Sequence, residues 1–274
     1  MDIIRSTIAI IGAGNMGSSL ISGLISQHYP RNQLWASDPS EEKRQFLHRQ
    51  FGISVTPRNE EALQNAETVI FAVKPQAMEA MVRELATPIQ SKKPLVLSIA
   101  AGVREARIQE WLGGKIAIVR AMPNTPALIG CGATALYANR FTSPSQHKLA
   151  EAILRCVGLT VWLDEENQMN AVTALSGSGP AYFFLLIEAL QQAGKAMGLP
   201  EETTRLLSLQ TAYGSARLAL ESDEPVEKLR HRVTSPGGTT EQALQILEKG
   251  AFHSLITQAL AAAKKRSEEL AENH

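Results

Sequence analysis

Apolar residues follow two rhythms along this chain, and one gives way to the other at about Asp164. Before that point, short aliphatic runs alternate with stretches of helical spacing. The runs are Ile8 to Ile11, Leu34 to Ser37, Thr68 to Val73, Pro94 to Ile99 and Ile116 to Arg120. Leu20, Ile21, Leu24 and Ile25 share one helix face after the first run, and a charged helix around Glu41 to Gln50 follows the second. This alternation predicts an α/β fold with a parallel, doubly wound sheet. Beyond Asp164 the pattern is helical only. Pro180 suits a first helical position and Gly198 a stop, and further helices are expected from Pro200 to about Leu220, from Pro225 to Arg232, and on to the charged end at Lys264 to Glu272. The helix that begins at Pro180 is apolar on more than one side through Leu190, so it is expected to be buried all round, by a partner subunit or as a core helix of one chain.

The first run leads into Gly12-Ala13-Gly14-Asn15-Met16-Gly17 and then a helix, the order of strand, glycine turn and helix that cradles a dinucleotide. Gly12 allows the tight turn, Gly14 lets a pyrophosphate approach the backbone, and Gly17 lets the helix pack closely. The helix start then offers N–H groups to the phosphates. The bland alternative is a glycine-rich turn with no ligand. Asp38 lies roughly 20 residues further on, where an acidic side chain accepts from a ribose 2′-hydroxyl and repels a 2′-phosphate; this favours NADH. Lys43 and Arg44 follow it and blur that preference. Ligands in such sheets sit beyond the carboxyl ends of the strands, which selects Ala72-Val73-Lys74-Pro75, Ser98 to Gly102 and Met122 to Pro126. Lys74 reaches a phosphate or is a solvated loop lysine.

Charge adds little to this picture: Lys+Arg and Asp+Glu are both 27 in 274 residues, and no block of like charge marks a nucleic-acid arm or a membrane patch. A small-molecule substrate is the expectation. Cys131 and Cys156 have no metal-ligand spacing and read as reduced thiols of a cytoplasmic protein, with no metal expected. The apolar run near the N-terminus is too short for a signal peptide or a membrane span.

Near the end the chain reads TSPGGTTEQALQIL. Thr239 with Gln242 fits a capping box, which needs no paired glycines before it. Gly237 and Gly238 therefore raise a second possibility, that the N–H groups of Gly238, Thr239 and Thr240 converge on an anion. A substrate carboxylate suits the site, with the Thr240 hydroxyl beside it; a simple turn and cap is the alternative.

VTSPGGTTEQALQILEKG, together with GAGNMG, AVKP, AAG, MPNTP and LSGSGPAY in this order, resembles pyrroline-5-carboxylate reductase over nearly the whole chain. The resemblance implies a Rossmann domain over residues 1–164 and an all-helical dimerisation and substrate-binding domain over residues 165–274. It also implies homodimers or larger assemblies built from them, with the active site formed between one subunit's cofactor and the other's helices. NADPH or NADH would reduce the C5=N bond of L-1-pyrroline-5-carboxylate to give L-proline. Ser235, Gly238, Thr239 and Thr240 would then hold the substrate, with Thr240 as the catalytic hydrogen-bonding group. Gly12, Ala13, Gly14, Asn15, Met16, Gly17, Asp38, Asn59, Ala72, Val73, Lys74, Pro75, Ala100 and Ala101 would line the cofactor site. Glu166 resembles a position near the cofactor and reads equally as a surface acid. A β-hydroxyacid dehydrogenase needs a lysine base early in the central helix, and none precedes Lys195 after GSGP. A dinucleotide-binding scaffold without turnover stays open as a third reading.

Overall fold

The computed structural model describes residues 6–272. The first half builds β1 (Ile8–Ile11), α1 (Asn15–Ser26), β2 (Leu34–Ser37), α2 (Glu41–Phe51), β3 (Ser54–Thr56), α3 (Asn59–Leu63) and β4 (Thr68–Phe71). It continues through α4 (Pro75–Glu84), α5 (Ala86–Lys92), β5 (Leu95–Ser98), α6 (Glu105–Leu112), β6 (Ile118–Met122), β7 (Gly132–Ala138), α7 (Pro144–Arg155) and β8 (Gly158–Trp162). The remainder is helical: α8 (Gln168–Val172), a π turn at Thr173–Gly177, α9 (Gly179–Ala196), α10 (Glu201–Glu221), α11 (Val226–Arg232), α12 (Thr239–Lys249) and α13 (Phe252–Glu272).

The strands form one eight-stranded sheet in the order β3-β2-β1-β4-β5-β6-β7-β8. β1, β4 and β5 are buried at every position, which explains their continuous apolar runs. Their alternate residues divide between the two faces. Ile8 and Ile10 pack with Leu20, Ile21 and Leu24 of α1, while Ala9 and Ile11 pack with Phe71, Met78 and Val82. Each fully buried aliphatic side chain contributes about 1.5–3 kcal/mol, so helices on both faces are needed to cover the sheet.

Three strands escape the sequence pattern. β3 is short and mostly polar, while β7 and β8 are rich in small or polar residues. β7 also departs from the parallel expectation by pairing antiparallel to β6. The link between them holds only the short 3-10 turn Thr125–Ile129, whereas a parallel return needs a crossover of a dozen or more residues.

Contacts divide the chain into two compact units, one running through Ser178 and resuming at Ala263, the other spanning Gly179–Ala262. Within the second, α9 and α10 meet closely: a Cβ on Gly194 would lie 2.6 Å from Thr204 Cγ2. Gly198, at φ +90°, ends α9 where the sequence placed a stop. The helix starts within one residue of the expectation, at Gly179, and is led into by a helical run that begins at Gln168. Proline leaves the carbonyl four residues earlier, that of Ser176, without its helical donor. Asn124 Nδ2 donates to this oxygen at 3.1 Å, and the backbone widens into the π turn just ahead. The apolar faces of α9 are not covered within the chain: Phe183, Phe184, Leu185, Leu186 and Leu190 are all exposed. An ordinary core helix is thereby excluded.

Candidate active site

The glycine turn shows what each residue does. Gly12 adopts φ +104°, and a Cβ there would sit 2.6 Å from Ala72 O; on Gly17 it would sit 2.3 Å from Gly12 O. Backbone packs against both positions. At Gly14, by contrast, a Cβ would meet nothing within 4 Å. Its backbone is ordinary extended chain, at φ −74° and ψ −176°, so no conformational demand explains the glycine. What remains is an open cradle at the start of α1, which has no side-chain cap. The first internal bond there is Ser18 N–H to Gly14 O, which leaves the preceding turn of amides facing that space. These features fit a pyrophosphate group.

Asp38 has a bracing role that the sequence did not show. It is buried, its Oδ2 accepts from Ala13 N–H at 2.9 Å, and its Oδ1 accepts from Ser40 N–H at 2.9 Å. Lys43 Nζ lies 3.5 Å from Oδ2. Oδ2 thus ties the glycine turn to the end of β2 while Oδ1 holds the turn into α2, and the carboxylate keeps further acceptor capacity beyond these two bonds. Replacing it with Asn leaves one amide without its charged acceptor, a loss of about 1.5–3 kcal/mol for such a bond. Asp38→Asn should therefore raise KM for NADH and NADPH together, about tenfold. Steady-state titration of both cofactors checks this, since a shift in their ratio toward NADPH would put the carboxylate at the ribose.

The loops after the strands supply two clefts. One, of about 370 Å³, includes Pro39, Pro57, Arg58, Asn59, Met81 and Glu84 in its lining. Asn59 is fixed there, because its Oδ1 accepts from Ser37 Oγ at 2.7 Å. The other, also about 370 Å³, is bordered by Pro75, Gln76, Ala101, Gly102, Arg266 and Ser267. Ala72 closes onto β1 through its N–H to Ile11 O at 2.8 Å, with Val73 beside it. Lys74 caps α4 from an exposed position ahead of Pro75. Ala100 is buried, while Ala101 is exposed and followed by Gly102 at φ +77°.

At the second loop the structure amends the sequence reading twice. The cap of α12 is Gly238 rather than Thr239, with no side-chain bond, so the Thr239–Gln242 capping box does not form. Gly238 N–H is not free either, since it donates to Ser235 O at 3.0 Å. Gly237 N–H donates to Glu241 Oε2 at 2.8 Å. The first internal bond of α12 is Gln242 N–H to Gly238 O at 3.3 Å, so the amides of Thr239, Thr240 and Glu241 have no helical acceptor, as at any helix start.

Sequence reasoning missed the struts behind these loops. Asn124 not only donates to Ser176 O but accepts from Ala133 N–H at 2.9 Å, tying MPNTP to LSGSGP. Glu166 Oε1 accepts from Arg120 Nη1 at 2.5 Å and from Glu105 N–H at 2.6 Å, where α6 begins. Glu166 is therefore engaged in a mostly buried ion pair, not a surface acid. Only the distant pairing of two opposite charges could have signalled it, and sequence spacing does not carry that.

An oxidoreductase that takes a dinucleotide beyond the end of a Rossmann sheet is the class these features define. Residues 166–270 match the family described as pyrroline-5-carboxylate reductase dimerisation, and residues 7–102 the one described as NADP oxidoreductase, coenzyme F420-dependent. Over 265 residues, 97% of each chain, the sequence is 50% identical to pyrroline-5-carboxylate reductase of Pseudomonas aeruginosa. The chain belongs to the pyrroline-5-carboxylate reductase family. A solved reductase from Coxiella burnetii superimposes with a TM-score of 0.95 at 45% identity, covering 97% of this chain and 99% of that one. The Plasmodium falciparum enzyme with NADP bound gives 0.85 at 31% identity, covering 97% and 98%. Membership makes this protein an NAD(P)H-dependent reductase of proline synthesis, and its dimerisation region accounts for the uncovered face of α9.

Proposed function

We propose that the Thr239–Thr240 amides at the start of α12 hold the carboxylate of L-1-pyrroline-5-carboxylate while Thr240 Oγ1 hydrogen-bonds the ring nitrogen. The observation that carries this reading is the division of donors in the loop. Gly237 and Gly238 spend their N–H groups internally, whereas those of Thr239 and Thr240 precede the first helical bond, Gln242 N–H to Gly238 O. The reduced nicotinamide would supply the hydride for C5. A protonated cyclic imine is already electrophilic, so the chain's task is to fix the ring and exclude water. No nucleophile is needed, and burial pushes the Cys156 thiol up to about 12, which keeps it protonated at neutral pH. On the cofactor side, the Gly14 cradle would take the pyrophosphate, with Asn59, Lys74 and the Ala100–Ala101 turn beside the rest. The two free thiols support a cytoplasmic location, as does descent from bacterial biosynthetic relatives.

The test is loss of reduced-nicotinamide absorbance on adding the imine, with NADH and NADPH in separate reactions. Oxidation that depends on the imine supports the reading, while cofactor binding without oxidation removes it. Thr240→Ala should lower kcat roughly tenfold, the value of about one hydrogen bond to a charged centre, and leave cofactor KM unchanged. Unaltered turnover would take Thr240 out of the reaction.

A further inference from the structure

The same loop contains a carboxylate where a carboxylate ligand is to be bound. Glu241 occupies the third position of α12, and its Oε2 accepts not from the cap residue, as in an ordinary capping box, but from Gly237 N–H one residue earlier. Gly237 holds φ +71°, a left-handed conformation, while Gly238 is extended at φ −82° and ψ 172°. The side chain thus bridges from the helix back to the turn and pins the left-handed residue. A Glu that bonded the cap N–H would compete with Ser235 O for Gly238. In the observed arrangement, neither internal bond uses the Thr239 or Thr240 amide.

We propose that Glu241 is a positioning residue for the substrate: its side-chain oxygen, through Gly237, sets the turn so that the Thr239 and Thr240 amides converge on the carboxylate, while its negative charge weakens binding of that anion. This rests on the reading of the loop as the carboxylate site. The two effects oppose each other and can be separated chemically. Glutamine keeps an acceptor oxygen at the same reach and removes the charge. Alanine removes both.

The experiment measures KM for L-1-pyrroline-5-carboxylate, KM for NADPH, and competitive inhibition by L-proline in the full-length oligomer, for Glu241→Gln and Glu241→Ala. The alanine variant should raise substrate KM and the proline inhibition constant about tenfold, the scale of one net hydrogen bond, with cofactor KM and melting temperature unchanged. The glutamine variant should fall at or below the wild-type KM. Substrate KM that is unchanged in the alanine variant overturns the proposal, as does a glutamine variant that behaves like alanine, or cofactor KM rising in parallel. Thr239→Pro separates this from the underlying reading. Proline is tolerated at a first helical position after an extended residue and deletes the N–H together with the threonine side chain, so Thr239→Ala, which keeps the N–H, is measured beside it. If Thr239→Pro leaves substrate KM unchanged, the loop does not hold the carboxylate. If it raises KM while Glu241→Ala does not, the carboxylate site stands and Glu241 has no part in setting it.

Discussion

Gly14→Ala should weaken cofactor binding about a hundredfold without disturbing the fold. The methyl group enters space where nothing lies within 4 Å, and the backbone angles at Gly14 suit alanine without strain. Replacing Gly by Ala in a compatible conformation stabilises slightly, by restricting the unfolded chain. The melting temperature should therefore hold or rise. The same methyl projects into the cradle at the start of α1, where a pyrophosphate must approach the amides closely. Losing that approach forfeits charge-assisted hydrogen bonds at a helix N-terminus, and we expect cofactor affinity to fall roughly a hundredfold. Gly17→Ala is the internal contrast: its methyl would meet Gly12 O at 2.3 Å, so it should lower the melting temperature as well as binding. Calorimetric titration with NADPH beside a thermal melt distinguishes the two. A Gly14→Ala protein that binds cofactor normally would mean the cradle does not take the pyrophosphate.

Glu166→Ala should produce the largest loss of stability. The side chain of Arg120 is 10% exposed and that of Glu166 is 23% exposed, so removing the carboxylate leaves a guanidinium mostly out of water with no partner. Breaking a buried pair in this way costs about 3–5 kcal/mol, although the exposed part of Glu166 moves the expectation to the lower end, ~3 kcal/mol. The Glu105 N–H at the start of α6 loses its acceptor at the same time. Differential scanning calorimetry should show a melting temperature lower by several degrees. Replacing both partners, Arg120→Met with Glu166→Leu, should recover much of the loss, because no charge is then left buried. Well below the melting temperature, kcat of Glu166→Ala should stay within about twofold of the parent enzyme. A collapse of kcat at unchanged stability would put Glu166 in the reaction instead.

The parts of the fold that could be read from the chain are those in which the signal is local. β2 and α2 were legible because an aliphatic run or an amphipathic stretch carries its own periodicity, and Ser40 before α2 and Gly52 after it punctuate the ends. β7 was not legible: GATALYA has neither alternation nor a β-branched run, and its antiparallel pairing follows from a short connection rather than from its residues. Pro180 does mark the first turn of α9, but the helical run from Gln168 that leads into it was not legible. Here the run passes through the proline, since a side chain from β6's loop satisfies the carbonyl that proline leaves unpaired.

The site divides along the same line. By itself the sequence determined the Rossmann half, the helical half, the tight turn at Gly12 and close packing at Gly17, and the family, because motif order and glycine placement are properties of the chain. Tertiary structure alone decided where the polar groups spend their hydrogen bonds. Asp38 turned inward to the glycine turn, Gly238 gave its amide to Ser235, Glu241 reached back to Gly237, and Glu166 found Arg120. A residue's identity fixes only what it can donate or accept; which partner lies within about 3 Å is set by packing, and that is decided when the chain folds.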